Sequence, residues 1–87
     1  MVLDFRVEDQ GVTVNVSYDE NTTAENFMLD YLGKHTNYVS LDKKIYTFMA
    51  NAKCWNSAKF LKKPLKDLIR SNGLVKLTRK QTIHYSR

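Results

Sequence analysis

Two runs of alternating side chains open the chain. Leu3, Phe5 and Val7 share one face of a first strand, and Val12, Val14 and Val16 share one face of a second. This period of two is the signature of a half-buried strand. Glu8-Asp9-Gln10-Gly11 lies between the runs, and Gly11 can take the positive φ of a tight connection. The spacing therefore predicts an antiparallel hairpin with one apolar face. The opposite face, with Asp4, Arg6, Thr13, Asn15 and Ser17, reads as solvated.

The period then changes. Ala24, Phe27, Met28, Tyr31 and Leu32 fall at i, i+3, i+4, i+7 and i+8, the stripe of an amphipathic helix. Thr22 and Glu25 have the spacing of a capping box, and Gly33 is the expected terminator. The apolar stripe is expected to lie on the hairpin as core. From His35 to Lys44 the chain is polar and irregular, with Tyr38, Val39 and Leu41 as expected anchors. Ile45 to Ala50 reads as a third strand, Asn51-Ala52-Lys53 as a turn, and Cys54 and Trp55 as a very short return strand. Pro64 is placed to open a short helical turn through Arg70, and Asn72-Gly73 is a turn signal. Leu74 to Lys80 is the last strand, with Val75 and Leu77 facing in. Residues 1–80 thus form one expected domain, and residues 81–87, which show no pattern to hold them down, an expected flexible tail.

This order, ββαββ with a short helical turn before the last strand, resembles the ubiquitin-like β-grasp family from Leu3 to Lys80. Thr23-Ala24-Glu25-Asn26 is similar to the family's Thr-Ile-Glu-Asn helix opening. Phe48 to Lys53 resembles its apolar strand ending in Ala-Gly-Lys, with Ala52 where glycine is usual, and Leu65-Lys66-Asp67-Leu68 its Leu-Ser-Asp-Tyr turn. Leu74 to Lys80 resembles its final strand, which ends in basic residues. The resemblance implies an α+β fold in which the first and last strands pair side by side. Two departures bear on function. The final residues, Thr82 to Arg87, contain no glycine, whereas conjugated modifiers of the family end in Gly-Gly, so conjugation is not expected of this chain as given, and a ubiquitin-like modifier whose Gly-Gly is not present in it stands as the runner-up reading. The positions aligned with the family's exposed apolar patch are Asp9, Met49 and Thr78, of which only Met49 is apolar.

Charge adds a second layer. Residues 1–40 hold two basic and seven acidic side chains, and residues 41–87 hold twelve basic and two acidic ones, for a net charge of +5. If the apolar residues above are internal, the exposed sheet face carries Thr47, Met49, Lys76, Thr78 and Lys80, joined by Arg6 and Lys53. This is a basic surface around one flexible apolar anchor, suited to a protein partner with an acidic surface. Nucleic acid is the weaker alternative, because Phe27, Tyr31, Phe48 and Trp55 are needed in the core and few rings remain for stacking.

Other classes find little support. No window is apolar enough for a membrane span, and charges in Met1 to Gln10 replace the apolar stretch of a signal peptide, so an intracellular protein, cytoplasmic or nuclear, is expected. Cys54 is the sole cysteine, and with only His35 and His84 beside it the chain offers neither a metal site nor a convincing thiol-imidazole pair. No glycine loop for phosphate is present. The reading is a non-catalytic domain without cofactor, metal or small-molecule substrate.

Overall fold

The computed structural model describes residues 1–80; the expected tail, residues 81–87, lies outside them. The elements are β1 (Val2–Asp9), β2 (Val12–Asp19), α1 (Ala24–His35), β3 (Tyr46–Ala50), β4 (Lys53–Cys54), a 3-10 turn (Leu65–Asp67) and β5 (Leu74–Arg79). They form an α+β unit in which one helix lies on a mixed five-stranded sheet of order β2-β1-β5-β3-β4. β1 and β2 pair antiparallel from Val2↔Asp19 to Asp9↔Val12, as the alternation predicts. β1 also runs parallel to β5, from Arg6↔Leu74 to Asp9↔Leu77, so the two ends of the described chain lie side by side.

Both hairpin turns have two residues. Gln10 and Gly11 close the first with φ of 52° and 80°, and Asn51 and Ala52 close the second with φ of 52° and 62°. Positive φ at both central positions is what a two-residue hairpin of this hand demands. An alanine in that region carries a Cβ too close to the following carbonyl, at a cost of about 1–2 kcal/mol. Ala52→Gly is therefore expected to raise stability by about 1 kcal/mol, or roughly 4–8 °C in Tm for a domain of this size, in a thermal melt. An unchanged or lower Tm would contradict this account of the turn.

The helix is set one residue later than its expected cap. Thr23 is the N-cap, its Oγ1 accepting from the Asn26 N–H at 3.1 Å. The other first-turn donors are satisfied from a distant loop, Ala24 N–H by the Lys63 carbonyl and Glu25 N–H by the Leu61 carbonyl, both at 2.9 Å. The Glu25 carboxylate meets Lys62 instead of reaching back to the cap. Gly33 does not end the helix. The chain stays helical through His35, and Thr36 closes it, giving both its N–H and its hydroxyl to the Leu32 carbonyl.

Ala24, Phe27, Met28, Tyr31 and Leu32 are all buried against Phe5, Val7, Phe48, Val75 and Leu77 of the sheet, with Trp55, Leu65 and Leu68 from the loops. Phe27 sits at the centre, its ring 5.0–6.0 Å from those of Phe5, Tyr18, Tyr31, Phe48 and Trp55, mostly edge to face. Of the three expected loop anchors only Leu41 packs on the core. Tyr38 and Val39 are exposed, and the loop is tied instead by the Tyr46 hydroxyl donating to the Tyr38 carbonyl at 2.8 Å.

Buried Asn56 takes over part of the work of a missing strand. Its Nδ2 donates to the carbonyls of Tyr46 at 2.9 Å and Leu41 at 3.1 Å, while its Oδ1 accepts from the Phe48 N–H at 3.4 Å. The edge of β3 beyond the two residues of β4 is thereby satisfied, which a buried edge requires.

Candidate functional site

Among the described residues the helix covers one face of the sheet and leaves the other open. Alternation along β5 sends Val75 and Leu77 into the core and Leu74, Lys76 and Thr78 to the open face. Along β3 it sends Tyr46, Phe48 and Ala50 inward and Thr47 and Met49 outward. The register places Thr47 beside Thr78 and Met49 beside Lys76. On the other flank Arg6 lies beside Leu74 and Glu8 beside Lys76. Lys80 follows β5 and is exposed, its backbone N–H held by the Ile45 carbonyl at 2.8 Å. Of the seven residues expected on this face, Arg6, Thr47, Met49, Lys76, Thr78 and Lys80 belong to the surface of these strands.

Lys53 does not join them. It is opposite Ala50 in the ladder, and residues directly opposite in an antiparallel pair share a face. Ala50 is buried on the helix side, so Lys53 leaves on that side too, its ammonium 6.0 Å from the centre of the Phe60 ring. Cys54 takes the position beside Met49, with its Sγ 3.3 Å from Asn56 Oδ1. Asp9 is a second correction. It lies on the helix side and is only 8% exposed, so it forms no part of the open face.

Besides Cys54, two further members of the open face were not among the expected residues. Leu74 is 41% exposed, comparable with 37% for Met49, and the inward Val75 already implies its outward direction. Glu8 is half-buried beside Lys76 and brings a carboxylate into the basic surface. Arg6 gives Nη2 to the Asn72 carbonyl at 2.9 Å, which fixes its guanidinium near Leu74. Among the described residues neither Lys76 nor Lys80 has an ion-pair partner within 4.0 Å. Two lysines of the loop before the 3-10 turn differ in this respect, since Lys62 pairs with Glu25 and Lys59 lies 5.5 Å from the Phe60 ring centre.

Behind the face an ionic clamp joins three elements. Arg79 grips the Asp9 carboxylate with two donors, Nε to Oδ1 at 2.9 Å and Nη2 to Oδ2 at 2.7 Å, and the Tyr31 hydroxyl donates to Oδ2 at 2.9 Å. Burial alone would raise the Asp9 pKa, but the hydrogen bonds from Arg79 and Tyr31 and the nearby positive charge hold it below the ordinary carboxylate value. The phenol of Tyr31 is pushed up by burial and by the Asp9 carboxylate. Arg79 follows Val75 and Leu77 at inward spacing, and that position was the available signal for a buried acidic partner.

The remaining chemistry is sparse. A shallow depression of about 250 Å³ beside the face is lined by Glu8, Gln10, Gly11, Lys76 and Thr78, among others. Among the described residues no three His, Cys, Asp or Glu side chains gather as metal ligands, and no helix is long and apolar enough to cross a membrane. His35 stacks on Tyr31 with ring centres 4.2 Å apart. Comparison with protein-family models gives no match for this chain, and neither does comparison with curated proteins.

Proposed function

We propose that the chain is a non-catalytic ubiquitin-like β-grasp domain that binds an acidic protein surface through the open face of β3 and β5. The strand order, the parallel contact of β1 with β5 and the single covering helix are compatible with that fold. The observation that carries the binding role is the cluster of Met49 and Leu74 around Lys76, with Arg6 and Lys80 at its margin. Exposed apolar side chains supply desolvated contact area, and uncommitted cations around them steer the encounter and set the register. The polar Thr47-Thr78 pair extends the same surface without a charge.

A protein is the better fit than a nucleic acid because the rings suited to base stacking are used elsewhere. Phe5, Phe27, Tyr31, Tyr46, Phe48 and Trp55 are buried, and Tyr18 packs against them. The test is the affinity for a partner captured from the source cell, measured at low and moderate salt. Replacing Lys76 and Lys80 together by alanine is expected to weaken binding about tenfold at low salt and to flatten its salt dependence. Binding unchanged by the pair would exclude this face. Retention of single-stranded nucleic acid at low salt, lost with the same two lysines, would transfer the face to the other ligand class.

A further inference from the structure

The strand β2 forms one edge of the sheet. Its pairing with β1 runs without interruption or bulge. On β1, the Arg6 N–H is given to the Gly73 carbonyl at 2.8 Å and the Asp4 carbonyl accepts from the Asn72 N–H at 2.7 Å. These groups point toward β5. In an antiparallel ladder the residues opposite them, Asn15 and Ser17, then direct their own N–H and C=O away from β1, and Thr13 does the same two residues earlier. A row of backbone donors and acceptors therefore faces outward along β2.

Sheet edges are ordinarily blunted by lysine, proline, a bulge or a covering segment. Val12 to Tyr18 has neither lysine nor proline and no charge at all; the strand's one charged residue, Asp19, is at its end. Among the described residues, β1 is its only strand neighbour. Val12 is 60% exposed, and Val14 and Val16 are half-buried.

We infer that β2 is a pairing edge for a second copy of this chain, the two strands running antiparallel about a two-fold axis at Asn15. The axis at Asn15 is the choice that overlaps the whole run from Val12 to Tyr18. It sets Thr13 opposite the partner's Ser17, Val14 opposite the partner's Val16, and Val12 opposite the partner's Tyr18. Apolar side chains meet on the helix side, hydroxyls and amides on the other, and no like charges are opposed. The complementarity is of the strand with itself, and a foreign charged strand would find no charge on Val12 to Tyr18 to pair with.

Sedimentation of the full chain from micromolar to millimolar concentration tests this. The average mass is expected to rise from one chain to two, while amide exchange at Thr13, Asn15 and Ser17 slows. Asn15→Lys places like charges at the axis, and Asn15→Pro removes an outward donor at an edge position that tolerates proline. Each is expected to weaken pairing about tenfold, with an unchanged circular dichroism spectrum, whereas Lys76→Ala leaves pairing intact. Either of two results would overturn the inference: the mass of one chain at every concentration, or a dimer indifferent to both Asn15 variants.

Discussion

Replacing Arg79 with alanine is expected to cost about 3 kcal/mol of stability at neutral pH, because it strands a buried carboxylate. Asp9 is 8% exposed and, among the described residues, takes two of its three side-chain hydrogen bonds from that guanidinium, the third coming from the Tyr31 hydroxyl. For a domain of this length the loss corresponds to roughly 12–24 °C in Tm. It must also depend on pH. The Asp9 pKa is lowered in the folded state from an ordinary value of 3.8. The stabilisation it contributes is therefore complete above about pH 4 and disappears as pH falls through the folded-state value. The gap between wild type and variant should accordingly narrow in acid, since a protonated Asp9 no longer needs the guanidinium. Arg79→Lys keeps the charge but not the two-donor grip and should fall between them. Urea unfolding at pH 7 and in acid measures the effect. A gap under 1 kcal/mol at pH 7, or one that does not change with pH, would contradict the clamp.

Met49→Asp is expected to weaken partner binding about 30-fold or more, equivalent to about 2 kcal/mol, while leaving the fold intact. Met49 is 37% exposed and points away from the core, so its replacement opens no cavity. Its flexible thioether can fit an irregular pocket on a partner. A carboxylate there would be desolvated on binding, would meet the partner's acidic residues, and would draw on Lys76 directly across the ladder. Met49→Leu conserves the apolar contact and should bind within a few fold of wild type. A titration that finds Met49→Asp and wild type equal would remove the anchor from the account.

Much of the architecture was legible because hydrophobic period and burial are the same physical fact read twice. Leu3, Phe5 and Val7 alternate, and Ala24, Phe27, Met28, Tyr31 and Leu32 recur with the helical period, because those positions must leave water together. The parallel contact between β1 and β5 has no local signature and was implied only by the family resemblance. The misplaced details share a cause in local competition. Gly33 can end a helix, but Thr36 offers both a donor N–H and a hydroxyl to the Leu32 carbonyl, and the later stop prevails. Thr22 could cap the helix, but its carbonyl accepts from the Leu65 N–H at 2.8 Å, and Thr23 takes the role.

The candidate face was legible to the extent that strand register was. Reading Asn51-Ala52-Lys53 as the turn makes it one residue too long, and a one-residue slip moves every following side chain to the other face. That slip put Lys53 on the open surface and concealed Cys54. Asp9 was hidden in the same way: a two-residue turn at Gln10 and Gly11 leaves it inside β1, on the inward side with Phe5 and Val7. Its partner Arg79 is 70 residues away, a distance over which pattern along the chain carries no information.

The three methionines give the most direct test of the open face as a binding surface. Met28 is fully buried, Met1 is 87% exposed at the far end of β1, and Met49 stands on the face itself. Their methyl resonances can be followed together as a captured partner is added. The Met49 methyl is expected to shift or broaden while those of Met1 and Met28 stay in place; a bound complex that moves Met1 or Met28 and leaves Met49 unchanged would contradict the proposed surface.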